Sequence, residues 1–119
     1  MTLPALEVRS LSRLFKALGD ETRVRMVALL AHGELCVCHL EAALGLQQST
    51  TSRQLAVLRA AGVVESRREK SWVYYRLAPQ TDELAKRLLR ELTRGFAAKE
   101  TLRRDVERLV KVMGPGSCP

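Results

Sequence analysis

The sequence predicts a mainly α fold with one short β-hairpin, an α+β arrangement. Three observations predict it. Apolar residues recur at helical spacing over most of the chain, Gly and Asp punctuate those stretches, and the period changes once, after Gly62, to runs rich in β-branched and aromatic residues. With 119 residues, 46% hydrophobic and 28% charged, the chain is sized for one domain with a single core. That domain is expected over residues 1–113, with 114–119 (Gly114-Pro115-Gly116-Ser117-Cys118-Pro119) as a flexible C-terminal tail.

Each element follows from its own signals. Residues 6–18 carry Leu11, Leu14, Phe15 and Leu18 in helical rhythm up to Gly19, which predicts a first helix over about 4–18. Asp20 is a good N-cap for a second helix, in which Val24, Val27, Ala28 and Leu30 keep the rhythm as far as His32-Gly33. A short helix over about 37–44 is closed by Gly45. Residues 48–61 read as a longer helix with a buried stripe of Leu55, Val57, Leu58 and Ala61, closed by Gly62. Two strands follow, 63–68 and 72–77, separated by a turn at Glu69-Lys70-Ser71 that lacks the favoured Asn-Gly or Asp-Gly pair. From 82 to 113 helical spacing returns through Leu84, Leu88, Leu92 and Phe96, then Val106, Leu109, Val110 and Met113. Gly95 and Thr101 leave open whether this stretch is one helix or two.

Helix, Gly-closed turn, helix and basic hairpin make the order of a winged helix-turn-helix with a two-stranded β-wing. In that motif the second helix lies in the major groove of double-stranded DNA with its N-terminal residues toward base edges. Here that end is Gln47-Gln48-Ser49-Thr50-Thr51-Ser52-Arg53-Gln54. Gln pairs bidentately with adenine, Arg with guanine, and Ser or Thr reaches bases or phosphates. The formal charge is +7, and residues 47–76 hold six basic and two acidic side chains. An anionic partner fits that balance. Arg67, Arg68 and Lys70 on the wing are expected at the DNA backbone, whereas Arg59 could instead pair with a nearby carboxylate. Trp72, Tyr74 and Tyr75 are expected to pack the wing.

Other classes lack their signatures. No apolar run approaches the roughly 20 residues that cross a bilayer, and residues 1–7 do not resemble a secretory leader. Three cysteines, two of them separated by one residue, make a poor disulfide framework and suit reduced thiols in a cytoplasm. A phosphatase-like thiol enzyme would need Arg six positions after its cysteine. Ala42 and Leu44 stand there after Cys36 and Cys38, and neither paired carboxylates nor a Gly-rich phosphate loop is present. No enzyme and no organic cofactor is expected.

The chemistry-bearing segment is Glu34-Leu35-Cys36-Val37-Cys38-His39-Leu40, immediately before the helix-turn-helix. Thiolates select soft ions. A lone C-x-C is also common as a pair of small buried hydrophobes. Side chains two apart on an α-helix point about 200° away from each other, so chelation by both is expected to unwind the start of the short helix, where Cys36 would be a cap-like residue.

Leu14-Phe15-Lys16-Ala17-Leu18-Gly19-Asp20-Glu21-Thr22-Arg23, the Glu34–Leu40 segment and Gln48-Ser49-Thr50-Thr51-Ser52-Arg53-Gln54-Leu55 resemble the ArsR/SmtB family of metal-responsive repressors over roughly residues 10–78. The resemblance is strongest to the arsenic-sensing branch, whose motif is ELCVCDLC. It implies a homodimer of winged helices that leaves its operator when an inducer, As(III) or Sb(III), binds the thiolates of Cys36 and Cys38. This chain departs from the branch at His39, where the branch has Asp, and at Glu41, where it has a third Cys. Cys118, the remaining cysteine, is the candidate third sulfur, within its own subunit or across the dimer. The Zn(II) site that other members carry on the last helix is missing, because residues 81–113 contain no histidine. Dimerisation is expected through the helices at 4–18 and 81–113, so that two readers meet the half-sites of a pseudo-palindrome about one DNA turn apart.

Two alternatives stay open. One is a thiol-redox repressor in which Cys36 and Cys38, or Cys38 and Cys118, oxidise, although a C-x-C disulfide is strained. The other is a Cd, Zn or Cu sensor that uses His39 as a donor.

Overall fold

The computed structural model describes residues 3–113, with side chains from residue 7 onward. Within them six helices surround a small three-stranded antiparallel sheet. The tail and Cys118 lie outside the described residues.

Helix α1 (Leu3–Ala17) buries Leu14 and Ala17 and leaves Phe15 exposed. After a short turn, Asp20 caps α2 (Glu21–Leu30) by accepting the Arg23 N–H at 3.1 Å. The second half of α2 is buried on every side, from Met26 to Leu30, which makes it the central helix of the core. Leu40, Leu55, Leu58 and Val63 close around it.

Helix α3 (Val37–Leu44) ends at Gly45, whose φ of 66° is left-handed. The Leu46 N–H then reaches back to the Glu41 carbonyl at 3.0 Å, turning the chain into α4 (Gln48–Ala60). Thr51, Leu55 and Leu58 form the buried stripe of α4. Val57 is 38% exposed, contrary to the expectation. Positions 51, 55 and 58 keep to one helical face, and position 57 is turned about 100° from 58.

The wing is larger than the two-stranded hairpin expected. Strands β2 (Val64–Glu69) and β3 (Trp72–Leu77) form that hairpin around Lys70, held at a φ of 57°. On the other edge of β3 lies β1 (Leu35–Cys36), antiparallel, with Leu35 opposite Tyr75 and Cys36 opposite Tyr74. A two-residue strand has too short a period to be read from sequence. Its pairing is tertiary.

Residues 81–113 form two helices, α5 (Glu83–Phe96) and α6 (Glu100–Val112), capped at the start of α5 by Asp82. The break at residues 97–99 resets the helical phase. The single apolar stripe read from the sequence therefore does not hold. In α5, Ala85 and Leu89 are buried and Leu84 is 52% exposed. In α6, Leu102, Asp105 and Leu109 face inward, whereas Val110 is 68% exposed and Met113 is exposed too.

Helix α6 packs on α2 and α3. Asp105, fully buried, accepts from the Nε and Nη2 of Arg25 at 2.8 Å each and from the Nη2 of Arg108 at 2.5 Å. Arg108 also donates its Nε to the Ala43 carbonyl at 2.9 Å. These contacts hold α6 against the helix that Cys36 opens. No helix among the described residues is long and apolar enough to cross a membrane.

Candidate DNA-reading face and thiol pair

Gln47 is the N-cap of α4, with extended backbone and no side-chain capping bond. Gln47, Gln48, Ser49, Ser52 and Arg53 are exposed and Thr50 is partly so. The first N–H groups of a helix have no intrahelical acceptor, so this end offers donors as well as side chains.

Two members of the expected reading set sit differently. Thr51 is fully buried, its hydroxyl donating to the Gln47 carbonyl at 2.9 Å, which makes it part of the core of the motif. Gln54 is partly buried, and its Oε1 accepts from Arg23 Nη1 at 2.7 Å.

Arg23 was not picked out by sequence reasoning. Its Nε donates to the Ala17 carbonyl at 2.7 Å and its Nη2 to the Lys16 carbonyl at 3.1 Å. One guanidinium thereby joins the last turn of α1 to the middle of α4. A fork of donors can do this, and a lysine's point charge cannot.

On the wing, Arg68 and Lys70 are exposed. Arg67 is exposed as well but engaged. Its Nε and Nη2 donate to the Glu34 carboxylate at 2.9 and 2.7 Å, its Nη1 donates to Glu69 at 2.7 Å, and its guanidinium lies 4.6 Å from the centre of the Tyr74 ring. This pairing holds the Glu34 carboxyl below the ordinary carboxylate range and holds the Arg67 guanidinium more firmly protonated than usual. Arg76 pairs with Glu65 in the same row of the sheet.

The sulfurs meet without unwinding anything. Cys36 is the extended N-cap residue of α3, φ −70° and ψ 146°, and the last residue of β1. Only Cys38 lies within the helix, so the 200° divergence of two helical neighbours does not apply. The Sγ atoms are 3.2 Å apart, well beyond the roughly 2.05 Å of a bond between them. Bonds of about 2.3 Å from one soft ion can span that bite. The Cys38 sulfur is itself disulfide-bonded here, whereas that of Cys36 is a buried thiol. The pair therefore offers a thiophilic ion two donors once that bond is reduced.

Cys36 is 3% exposed, and Cys38 and His39 are partly buried. Burial pushes the His39 imidazole below its ordinary pKa. Among the described residues no group of three or more His, Cys, Asp or Glu side chains is placed to hold a metal ion. His39 is thus not gathered with the two sulfurs into such a group, and Glu41 supplies no third donor there.

Comparison with known proteins agrees with this arrangement. Residues 20–66 match the model of the bacterial regulatory protein arsR family. The arsenic resistance transcriptional regulator ArsR1 of Pseudomonas putida KT2440 is 45% identical over 100 residues, covering 83% of this chain and 77% of that protein. The arsenical resistance operon repressor of Escherichia coli K12 is 46% identical over 83 residues, covering 69% of this chain and 71% of its own. Among solved structures, the homodimeric winged helix-turn-helix DNA-binding domain of Mb0332 from Mycobacterium bovis superposes with a TM-score of 0.68 at 33% identity, over 80% of this chain and 85% of the other. A helix-turn-helix with an open, polar second helix and a basic wing, at such identities over so much of its length, belongs to the arsR family of bacterial regulatory proteins and is a DNA-binding transcriptional regulator, not an enzyme.

Proposed function

We propose that this chain is a homodimeric repressor of an arsenic or antimony resistance operon, released from its operator when As(III) or Sb(III) is captured by Cys36 and Cys38. The observation that carries the reading is the 3.2 Å approach of the two sulfurs at the junction of β1 and α3. Soft trivalent ions favour such donors, and the relatives from P. putida and E. coli are regulators of arsenic resistance. In this reading the bound ion supplies bonds that lock the two sulfurs together and draw in a further donor. Cys118 is the proposed third sulfur. Residues 114–119 follow directly on Met113, just beyond an α6 that packs on α3.

Gln47, Gln48, Ser49, Thr50, Ser52 and Arg53 read the major groove, with Arg68 and Lys70 on the backbone. Arg23 positions Gln54 rather than touching DNA. Dimerisation uses α1 and α5, where Val8 (67% exposed) and Leu84 (52%) border an open cleft. Its floor is apolar (Leu11, Leu14 and Ala85) and its rim is polar, including Glu7 and Asp82. Two such readers meet a pseudo-palindromic operator.

Replacing Cys36 or Cys38 with Ser is expected to retain operator binding and to abolish release by arsenite under reductant, read by fluorescence anisotropy of a labelled duplex. Normal release by both variants would overturn the assignment. X-ray absorption of the arsenite complex should count three sulfurs, falling to two in Cys118→Ser. An unchanged count would remove Cys118 from the site.

A further inference from the structure

We infer that Glu34 is a coupling residue, which ties the wing to the sulfur-bearing strand through Arg67. The inference rests on the sensing role of Cys36 and Cys38 proposed above. It starts from an anomaly in the DNA-reading face. Arg67 stands on the basic wing, yet both edges of its guanidinium are used inside the chain, by Glu34 and by Glu69. Its face lies over Tyr74. A side chain held at three points this way has little left to offer a phosphate.

The placement of its partner explains the arrangement. Glu34 immediately precedes β1, with only Leu35 between it and Cys36. In the sheet order β1-β3-β2, Cys36, Tyr74 and Arg67 occupy one cross-strand row. The Glu34–Arg67 pair bridges the two outer strands over the central one. A strand of two residues has few ladder bonds of its own, and a bidentate pair in a charge network is the surface geometry that does contribute. With the clamp in place, a displacement of Cys36 by a ligand on its sulfur moves β1, β3 and β2 together, carrying Arg68 and Lys70. Without it, β1 can shift while the wing stays on the DNA. Because the sulfurs already converge, unwinding α3 is not needed to pass the signal. The sheet offers the shorter route.

Linkage requires that the clamp act in both directions, so that operator binding weakens arsenite binding by the same factor. The test measures the ratio of operator affinities without and with arsenite, using a duplex selected by the wild-type repressor from a random-sequence pool. Glu34→Gln is expected to lower that ratio about fivefold. Arg67→Gln should do the same, and the double variant no more than either alone. Arsenite binding to the free repressor, followed by the ultraviolet absorption of its thiolate complex, should stay unchanged in Glu34→Gln.

A wild-type ratio of one overturns the sensing reading itself. A wild-type ratio well above one that is equalled by both single variants overturns the coupling role alone, as does a double variant whose effects add. Circular dichroism checks the fold of each variant, and the two singles test the same clamp from opposite ends.

Discussion

Asp105 ties α6 to α2. It is fully buried, yet two guanidinium groups meet it, Arg25 from α2 and Arg108 from its own helix. Desolvating a carboxylate is costly, so a site like this persists only where the partners saturate the oxygens. Arg25 gains from the same contact, its guanidinium held above the ordinary arginine range first by the hydrogen bonds to Asp105. Asp105→Ala leaves Arg25 without its carboxylate acceptor in a partly buried position. The expected loss is about 2–3 kcal/mol, read as a lower denaturant midpoint at unchanged m-value. A shift below about 0.5 kcal/mol would mean that α6 is held by apolar packing alone.

At the scale of elements, the turn between α3 and α4 sets the angle at which the reader is presented. Gly45 adopts a φ of +66°, and a Cβ built there meets nothing within 4 Å. Any cost of Gly45→Ala is therefore conformational and not steric, on the order of 1 kcal/mol. Thermal unfolding should show that loss, and operator affinity should fall along with it if the turn angle matters for docking. Lys70, in a similar left-handed conformation at the hairpin tip, is the converse case. A lysine sits where Gly or Asn would be easier, as expected where a cation at the tip has a role of its own.

At the scale of the whole molecule, large apolar side chains stay open on α1 (Val8, Phe15), on α5 (Leu84) and at the end of α6 (Val110, Met113). Leu102 and Leu109 of α6 are packed inside the same chain, which confines its open apolar side chains to Val110 and Met113. Of the segment 81–113, α5 is the part that borders the cleft shared with α1, and it is the part proposed to meet a second copy. Leu84→Glu is expected to leave the fold intact, since Leu84 is half exposed. It should convert a dimer to a monomer in sedimentation and weaken operator binding by at least about tenfold through loss of the linked second half-site. A Leu84→Glu protein that still sediments as a dimer would place the interface elsewhere.

What the sequence by itself determined was local. Helix signals at Asp20, Gly45 and Gly62 place α2, α3 and α4 to within one or two residues, because caps and left-handed glycines act over a few positions. The change of period after Gly62 marks the hairpin for the same reason. The thiol pair and the polar start of α4 were legible because their chemistry is carried by residue type.

Only the tertiary structure decided the contacts between distant segments. It joined β1 to β3, Glu34 to Arg67, Arg23 to Gln54 and Asp105 to Arg25, pairs separated by 31 to 80 positions where the side chains bond. No periodicity encodes such partners, since they depend on how the helices pack. The same packing broke the apolar stripe at residues 97–99 and turned Val57 outward. It also paired Cys36, a cap-like residue before α3 on sequence grounds alone, into a strand, and there its sulfur lies 3.2 Å from that of Cys38.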